Sequence, residues 1–155
     1  MARLDVSLVT PNPVTITTGG LEPLLFLKAP ANQRVVIKSI KISCRGTAST
    51  DVPLTVQLVE ASTDGTTPTT VFMQALDGSL GETIQTTAGA GTYITPPATV
   101  SNTIINRWDV HVQTQWEELI PPGMEYIIEG GGRRLLVAQA TTASVAVNAV
   151  IIFEE

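Results

Sequence analysis

Apolar residues in this chain recur at every second position and hardly anywhere at every third or fourth. In "VPLTVQLVE" (52–60) Leu54, Val56 and Leu58 point one way, and Thr55 and Gln57 the other. In "SVAVNAVIIFEE" (144–155) Val145, Val147, Ala149, Ile151 and Phe153 share one face. This alternation is the signature of strands with one face in a core. Val150 and Ile152, on the other face of the last strand, are also apolar, so that strand is central or covered by a neighbour. "RVVIKSIKISCRG" (34–46) is the longest strand signal, and its phase slips. Ile40, Ile42 and Cys44 share a face with Val36, whereas Val35 and Ile37 sit on the opposite phase and Lys38 interrupts. A β-bulge near Lys38 and Ser39 repairs the register.

Shorter strands are predicted at residues 23–29, 82–87, 92–95, 107–113, 124–129 and 133–140. The best candidate for a helical turn is residues 72–76, and it is short. Gly, Pro, Asn and Asp separate the strands, as in "STDGTTPTT" (62–70), "PPG" (121–123) and "GGG" (130–132). Residues 77–103 are rich in Gly, Thr, Pro and Ala; so long an irregular segment in a compact domain usually does a job or meets a partner. Residues 1–13 end in "TPNP", whose prolines limit ladder hydrogen bonding. They read as an extended N-terminal arm that joins the domain at residues 14–17. On this reading, deleting residues 1–11 spares the folded domain. Residues 14–155 form one domain. About eight strands joined by turns predict an all-β, antiparallel β-sandwich of jelly-roll type.

Composition narrows the function. The chain has 155 residues, enough for one domain with its own core. Hydrophobic residues make up 43% and charged residues 15%, which argues against a disordered chain and suggests that some apolar or neutral surface is covered by a partner. The net charge of −5 and the absence of a basic face argue against direct contact with nucleic acid or an anionic membrane. A lone cysteine, Cys44, rules out an intrachain disulfide. "MARLDVSLVTPNP" lacks the continuous apolar segment of a signal peptide, so a soluble protein made without an export signal is expected.

The most suggestive stretch for chemistry is "RWDVHVQTQWEELIPPG" (107–123), with the only histidine and both tryptophans. Strand alternation separates its letters. Trp108, Val110 and Val112 share one face, continued by Trp116 if the strand runs on; Arg107, Asp109, His111 and Gln113 share the other. Asp109 is placed to orient His111, but no nucleophile completes the set: "DGSLG" (77–81) lacks the first glycine of a nucleophile elbow. Glu117 and Glu118 are adjacent and point to opposite faces, so they do not converge across a sugar. One His and one Cys make no zinc site. "EGGGRR" (129–134) offers backbone amides and arginines to an anion, though glycines allowing a hairpin turn explain it better, and Arg133 or Arg134 suits an intersubunit salt bridge. Trp116, beside "EELIPPG", is the more exposable tryptophan and the basis of an alternative reading: a carbohydrate- or receptor-binding β-sandwich of a phage tail or fibre. No enzyme and no cofactor is predicted.

The phrases "APANQRVVIKSIKISCRGTAST", "PLTVQLVEASTDGTTP", "ETIQTTAGAGTYITPPA", "RWDVHVQTQ" and "EGGGRRLLVAQATTASVAVNAVIIFEE" together resemble the jelly-roll capsid decoration, or cement, proteins of tailed bacteriophages, over roughly residues 25–155. The resemblance implies a structural role. Such a protein is made in the host cytoplasm and sits on the outer surface of the expanded capsid of the virion. There it bridges neighbouring major-capsid subunits against internal DNA pressure. It also implies self-association, as a homotrimer more than a dimer. Expected contact residues, to capsid or sister subunit, are Arg3, Leu4, Val6, Leu8 and Pro11 in the arm, and His111, Trp116, Arg133, Val150 and Ile152 in the domain. An arm of this kind adds to a neighbour's sheet edge through backbone hydrogen bonds.

Overall fold

A computed structural model describes residues 4–45, 53–66, 71–76, 83–140 and 143–155. Among these the chain is all-β, with two antiparallel sheets packed as a sandwich. The strands are β1 (Asp5–Val9), β2 (Val14–Ile16), β3 (Glu22–Lys28), β4 (Val35–Arg45), β5 (Leu54–Ala61) and β6 (Phe72–Ala75). They continue with β7 (Thr87–Ala90), β8 (Thr99–Val110), β9 (Gln115–Leu119), β10 (Tyr126–Ile128), β11 (Arg133–Gln139) and β12 (Val145–Glu154). The seven-stranded sheet runs β10-β4-β12-β1-β6, with β9 also on β4 and β2 also on β12. The five-stranded sheet runs β7-β3-β11-β5-β8.

The core lies between the sheets and follows the alternation. Val145, Val147, Ala149, Ile151 and Phe153 of β12 are buried, and the residues between them are half-buried. Facing them are Leu25 and Leu27 of β3, Leu54, Val56 and Leu58 of β5, and Leu136 and Ala138 of β11. In β4 the predicted bulge is present. Ile152 pairs with Ser39 and Phe153 with Ile37, so Lys38 is the extra residue. Skipping it brings Val35, Ile37, Ile40 and Ile42 to one face, all fully buried. The displaced Lys38 side chain reaches across the sheet to Asp5 (2.7 Å) and Glu154 (2.6 Å) and ties β4 to β1 and β12.

The N-terminal segment is not an arm. β1 is hydrogen-bonded to β12 on one edge and β6 on the other. Leu4, Val6 and Leu8 are in the core at 3%, 0% and 0% exposure. The prolines do interrupt the strand, but Thr10 repairs the ladder: its amide donates to the Ala149 carbonyl (3.0 Å), and its hydroxyl accepts from the Ala149 amide (3.1 Å). An arm would leave those central groups of β12 unpaired and buried, which is costly. Residues 72–76, read as a helical turn, are mostly strand β6: their alternation is two-residue, with Met73 and Ala75 against the core and Phe72, Gln74 and Leu76 exposed.

Two further boundaries differ from expectation. The strand expected at 107–113 is the end of the twelve-residue β8, and the chain then turns and crosses to the other sheet as β9. The short strands expected at 82–87 and 92–95 give way to β7 at Thr87–Ala90 and a single bridge between Thr66 and Thr95; residue 82 lies outside the described residues. The segment after β7 has a task of its own. It folds over the outer face of the five-stranded sheet, where Tyr93 packs on Phe26, Val59, Ala61, Leu135 and Val137. The Ser62 amide donates to Ala98 (2.7 Å) and the Ile94 amide to Thr66 (2.8 Å), fixing the flap. At Gly65, with φ of 68°, a Cβ would lie 2.7 Å from Pro97, so only glycine allows this crossing.

Two outcomes follow from a built-in β1. Leu8→Ala is expected to lower unfolding free energy by about 2–5 kcal/mol, as for other fully buried leucines. Deletion of residues 1–11 is expected to abolish cooperative unfolding. Urea melts check both; a truncated protein as stable as the parent contradicts this placement of β1.

Candidate interaction surface

Strand register sets out the outer face of the seven-stranded sheet row by row. One row runs Phe72, Val9, Val150, Lys41, Glu117. The next runs Gln74, Ser7, Ile152, Ser39, Leu119. A third runs Asp5, Glu154, Val36, Ile127, with Leu76 hydrogen-bonded beside Asp5. The centre of this face is therefore Val, Ile and Ser, with Phe72 and Leu119 toward its two sides. Its charges are paired: Lys41 with Glu117 at 3.2 Å, and Lys38 between Asp5 and Glu154. The Lys38 ammonium is held above its ordinary range, mainly by its hydrogen bond to Asp5 and then that to Glu154. Val9, Val150, Ser7, Ile152 and Ser39 at its centre carry no charge, and interface centres are generally depleted in charge.

The expected contact residues divide by position. Val150 and Ile152 lie on this face, half-buried among their neighbours. Leu4, Val6 and Leu8 are core residues and do not reach a partner. Pro11 is half-buried in the break between β1 and β2, and Arg3 lies outside the described residues. Phe72, Val9 and Leu119 belong to the face and were missed. For Phe72 and Leu119 the signal was the alternation of "VFMQAL" and "QWEEL", hidden by the shortness of each strand.

Trp116 turns inward. It faces Ile42 in the register of β4 and meets Trp108 with ring centres 5.3 Å apart, at 49°. Tyr126 packs edge-on to Trp108 at 6.3 Å. The three rings close the side of the sandwich where β8 of one sheet approaches β9 and β10 of the other. Asn106 donates to the Tyr126 hydroxyl (2.6 Å), which donates weakly to Glu118 (3.4 Å). Burial pushes the Tyr126 phenol up, and the Glu118 carboxylate adds to this against the opposing Asn106 bond. Glu117 and Glu118 do point oppositely, one to Lys41 and the other into this seam. Both tryptophans thus plug a core edge and offer no open platform to a sugar.

His111 sits in the turn joining β8 to β9. Its Nδ1 accepts from the Gln113 amide (3.2 Å), and its carbonyl accepts from the Thr114 amide (3.2 Å). Asp109 accepts from the Thr55 hydroxyl (3.2 Å). The nitrogen that an orienting carboxylate would hold is thus an acceptor in a turn, and His111 serves the sheet crossing. The glycines at 130–132 also make a crossing, from β10 in one sheet to β11 in the other, not a hairpin between paired strands. The Gly131 amide donates to Ala29 (3.2 Å) and Pro30 (3.1 Å), and that of Gly132 to Glu129 (2.7 Å), so these amides are not presented to an anion. Arg133 is engaged within the chain: its Nε donates to Asp64, which Lys28 also contacts at 2.7 Å.

No family model matches this chain, and no match was found among curated proteins or solved structures.

The Asp64 carboxyl is held below its ordinary value of 3.8, first by Lys28 and then by Arg133. A depressed carboxyl contributes stability that is complete above the unfolded value and lost as pH falls through the folded one. Asp64→Asn is therefore expected to cost about 1 kcal/mol or less at pH 7, since the pairs are partly exposed. It should also flatten the acid limb of a stability profile below pH 3.8. An identical acid limb in parent and variant contradicts the assignment.

Proposed function

We propose that this chain is a non-enzymatic decoration, or cement, protein of a phage capsid, binding the major capsid protein on the outer surface of the expanded head. The observation that carries the proposal is the contrast between the two outer faces. The five-stranded sheet is covered by the chain's own flap around Tyr93. The seven-stranded sheet bears no such flap among the described residues, and the charges around its Val150 and Ile152 centre, on Lys41, Lys38, Asp5 and Glu154, are engaged in ion pairs. The resemblance in the sequence says which kind of partner such a face meets.

The order β2-β12-β4-β9 in one sheet and β3-β11-β5-β8 in the other supports a jelly roll. The steps β2 to β3, β3 to β4, β4 to β5, β8 to β9, β10 to β11 and β11 to β12 all cross between sheets, as two interlocked Greek keys require. On this reading the protein is made in the host cytoplasm, contacts neither nucleic acid nor membrane, needs no cofactor and self-associates as a trimer or a dimer. The arm no longer supplies the anchor, because β1 is in the core. The face takes over that role.

Purified protein mixed with expanded, undecorated capsids is expected to co-sediment at fixed stoichiometry. Val150→Glu and Ile152→Glu each strand a charge at the centre of the face and are expected to weaken binding about tenfold or more, roughly 1.4 kcal/mol. Their urea midpoints should stay near the parent's. Folded protein that never binds, or glutamate variants that bind like the parent, would sink the proposal.

A further inference from the structure

Strand β6 is one edge of the seven-stranded sheet among the described residues. Strand edges are ordinarily protected by charge, proline, a bulge or brevity. Among the described edges, β8 has two register shifts against β5 and carries Arg107 and Asp109. β9 carries Glu117 and Glu118 and ends shortly before Pro121. β2 and β10 have three residues each, and β7 contains Gly89. β6 is also short, at four residues, but it has none of charge, proline, bulge or glycine. From Val71 to Leu76 the chain reads "VFMQAL", and Phe72 and Leu76 are 59% and 53% exposed.

The hydrogen-bond phase of β6 is fixed. The Leu76 amide donates to the Asp5 carbonyl at 2.8 Å, opposite in the register that pairs Gln74 with Ser7 and Phe72 with Val9. Antiparallel bonding alternates, so Phe72, Gln74 and Leu76 spend their backbone groups on β1. Met73 and Ala75 then turn theirs to the open edge, where no described strand lies.

We propose that two copies of this chain pair through β6 about a twofold axis passing between their Gln74 residues. Met73 of each copy exchanges both backbone hydrogen bonds with Ala75 of the other. Phe72 of each then lies directly opposite Leu76 of the other on the outer face, at the close spacing of a non-hydrogen-bonded pair. The two most exposed apolar side chains of the strand therefore cover one another in the register that satisfies its free backbone groups. The chain carries −5 overall, and β6 is an uncharged segment on which two copies meet without carboxylate facing carboxylate. The axis stands perpendicular to the sheet, so both Val150 and Ile152 faces look the same way across one continuous sheet. The inference rests on the self-association part of the proposed function, for which it selects twofold symmetry, and not on capsid binding.

Gln74→Cys tests it. The two introduced thiols face one another with Cα atoms about 4.5 Å apart, within disulfide reach. Cys44 is half-buried, and burial pushes its thiol up, so it competes poorly. Mild oxidation of the full-length Gln74→Cys protein at micromolar concentration is expected to give a covalent dimer at least tenfold faster than Thr15→Cys, an exposed position on β2. Gln74→Lys puts like charges opposite each other and is expected to shift the sedimenting species toward monomer. Cross-linking at Gln74→Cys no faster than at Thr15→Cys, or a Gln74→Lys protein as dimeric as the parent, overturns the pairing. Capsid co-sedimentation is read separately, so cross-linked protein that fails to bind capsids refutes the capsid proposal and leaves the pairing standing.

Discussion

Strand β12 is hydrogen-bonded along both edges for nearly its whole length, and the arrangement of the molecule follows from that requirement. β4 takes one edge from Ala146 to Glu154. β1 and β2 divide the other, with Thr10 bridging the gap that the prolines leave. A ten-residue strand with a fully apolar inner face has no other way to satisfy its buried amides and carbonyls. The N-terminal residues are drawn into the core by this demand, and the Lys38 bulge keeps β4 in phase with β12 to its end. The cluster of Lys38 with Asp5 and Glu154 then joins the three strands at that end.

The same requirement makes the two sides of the sandwich unequal. β12, β4 and β1 lie in one sheet, and the residues at the centre of their outer face are small or apolar: Val9, Ser7, Val150, Ile152 and Ser39. The other sheet also has an apolar outer face, but the chain returns over it with Tyr93, whose hydroxyl is buried without a partner among the described residues. Burial drives that phenol far above its ordinary range. One outer face is thus covered by the chain itself, and the other, without such cover among the described residues, is the face the proposal assigns to association. The proposed pairing at β6 would double the second face without changing its direction, so that two copies would grip a surface together and multiply a modest contact.

Much of the fold was legible because alternation is a local property. β4, β5, β11 and β12 lie within two residues of where the pattern put them, and the bulge at Lys38 followed from a one-residue slip in phase. The misreadings came where strands are short or where tertiary partners decide. In "RLDVSLVTPNP" the alternation of Leu4, Val6 and Leu8 was visible, but the prolines outweighed it; only the unpaired edge of β12, far along the chain, shows why these residues stay in the sheet. In "VFMQAL" the pattern is too short to separate a strand from a helical turn. For the surface, Val150 and Ile152 were legible as a second apolar face. Trp116 was not: its direction depends on the crossing at His111, which turns β9 back against β4 and brings the indole onto Trp108. The pairing of Arg133 with Asp64 was not legible for a similar reason, since Asp64 lies on a distant loop.

The central claim is that the bare face of the seven-stranded sheet is the contact face. A cryo-electron microscopy reconstruction of expanded capsids carrying the bound protein tests it most directly. The account predicts that Val150 and Ile152 are turned toward the shell, with the Tyr93 flap facing solvent. Density that places the flap against the capsid and leaves the Val150 and Ile152 face open to water would contradict it.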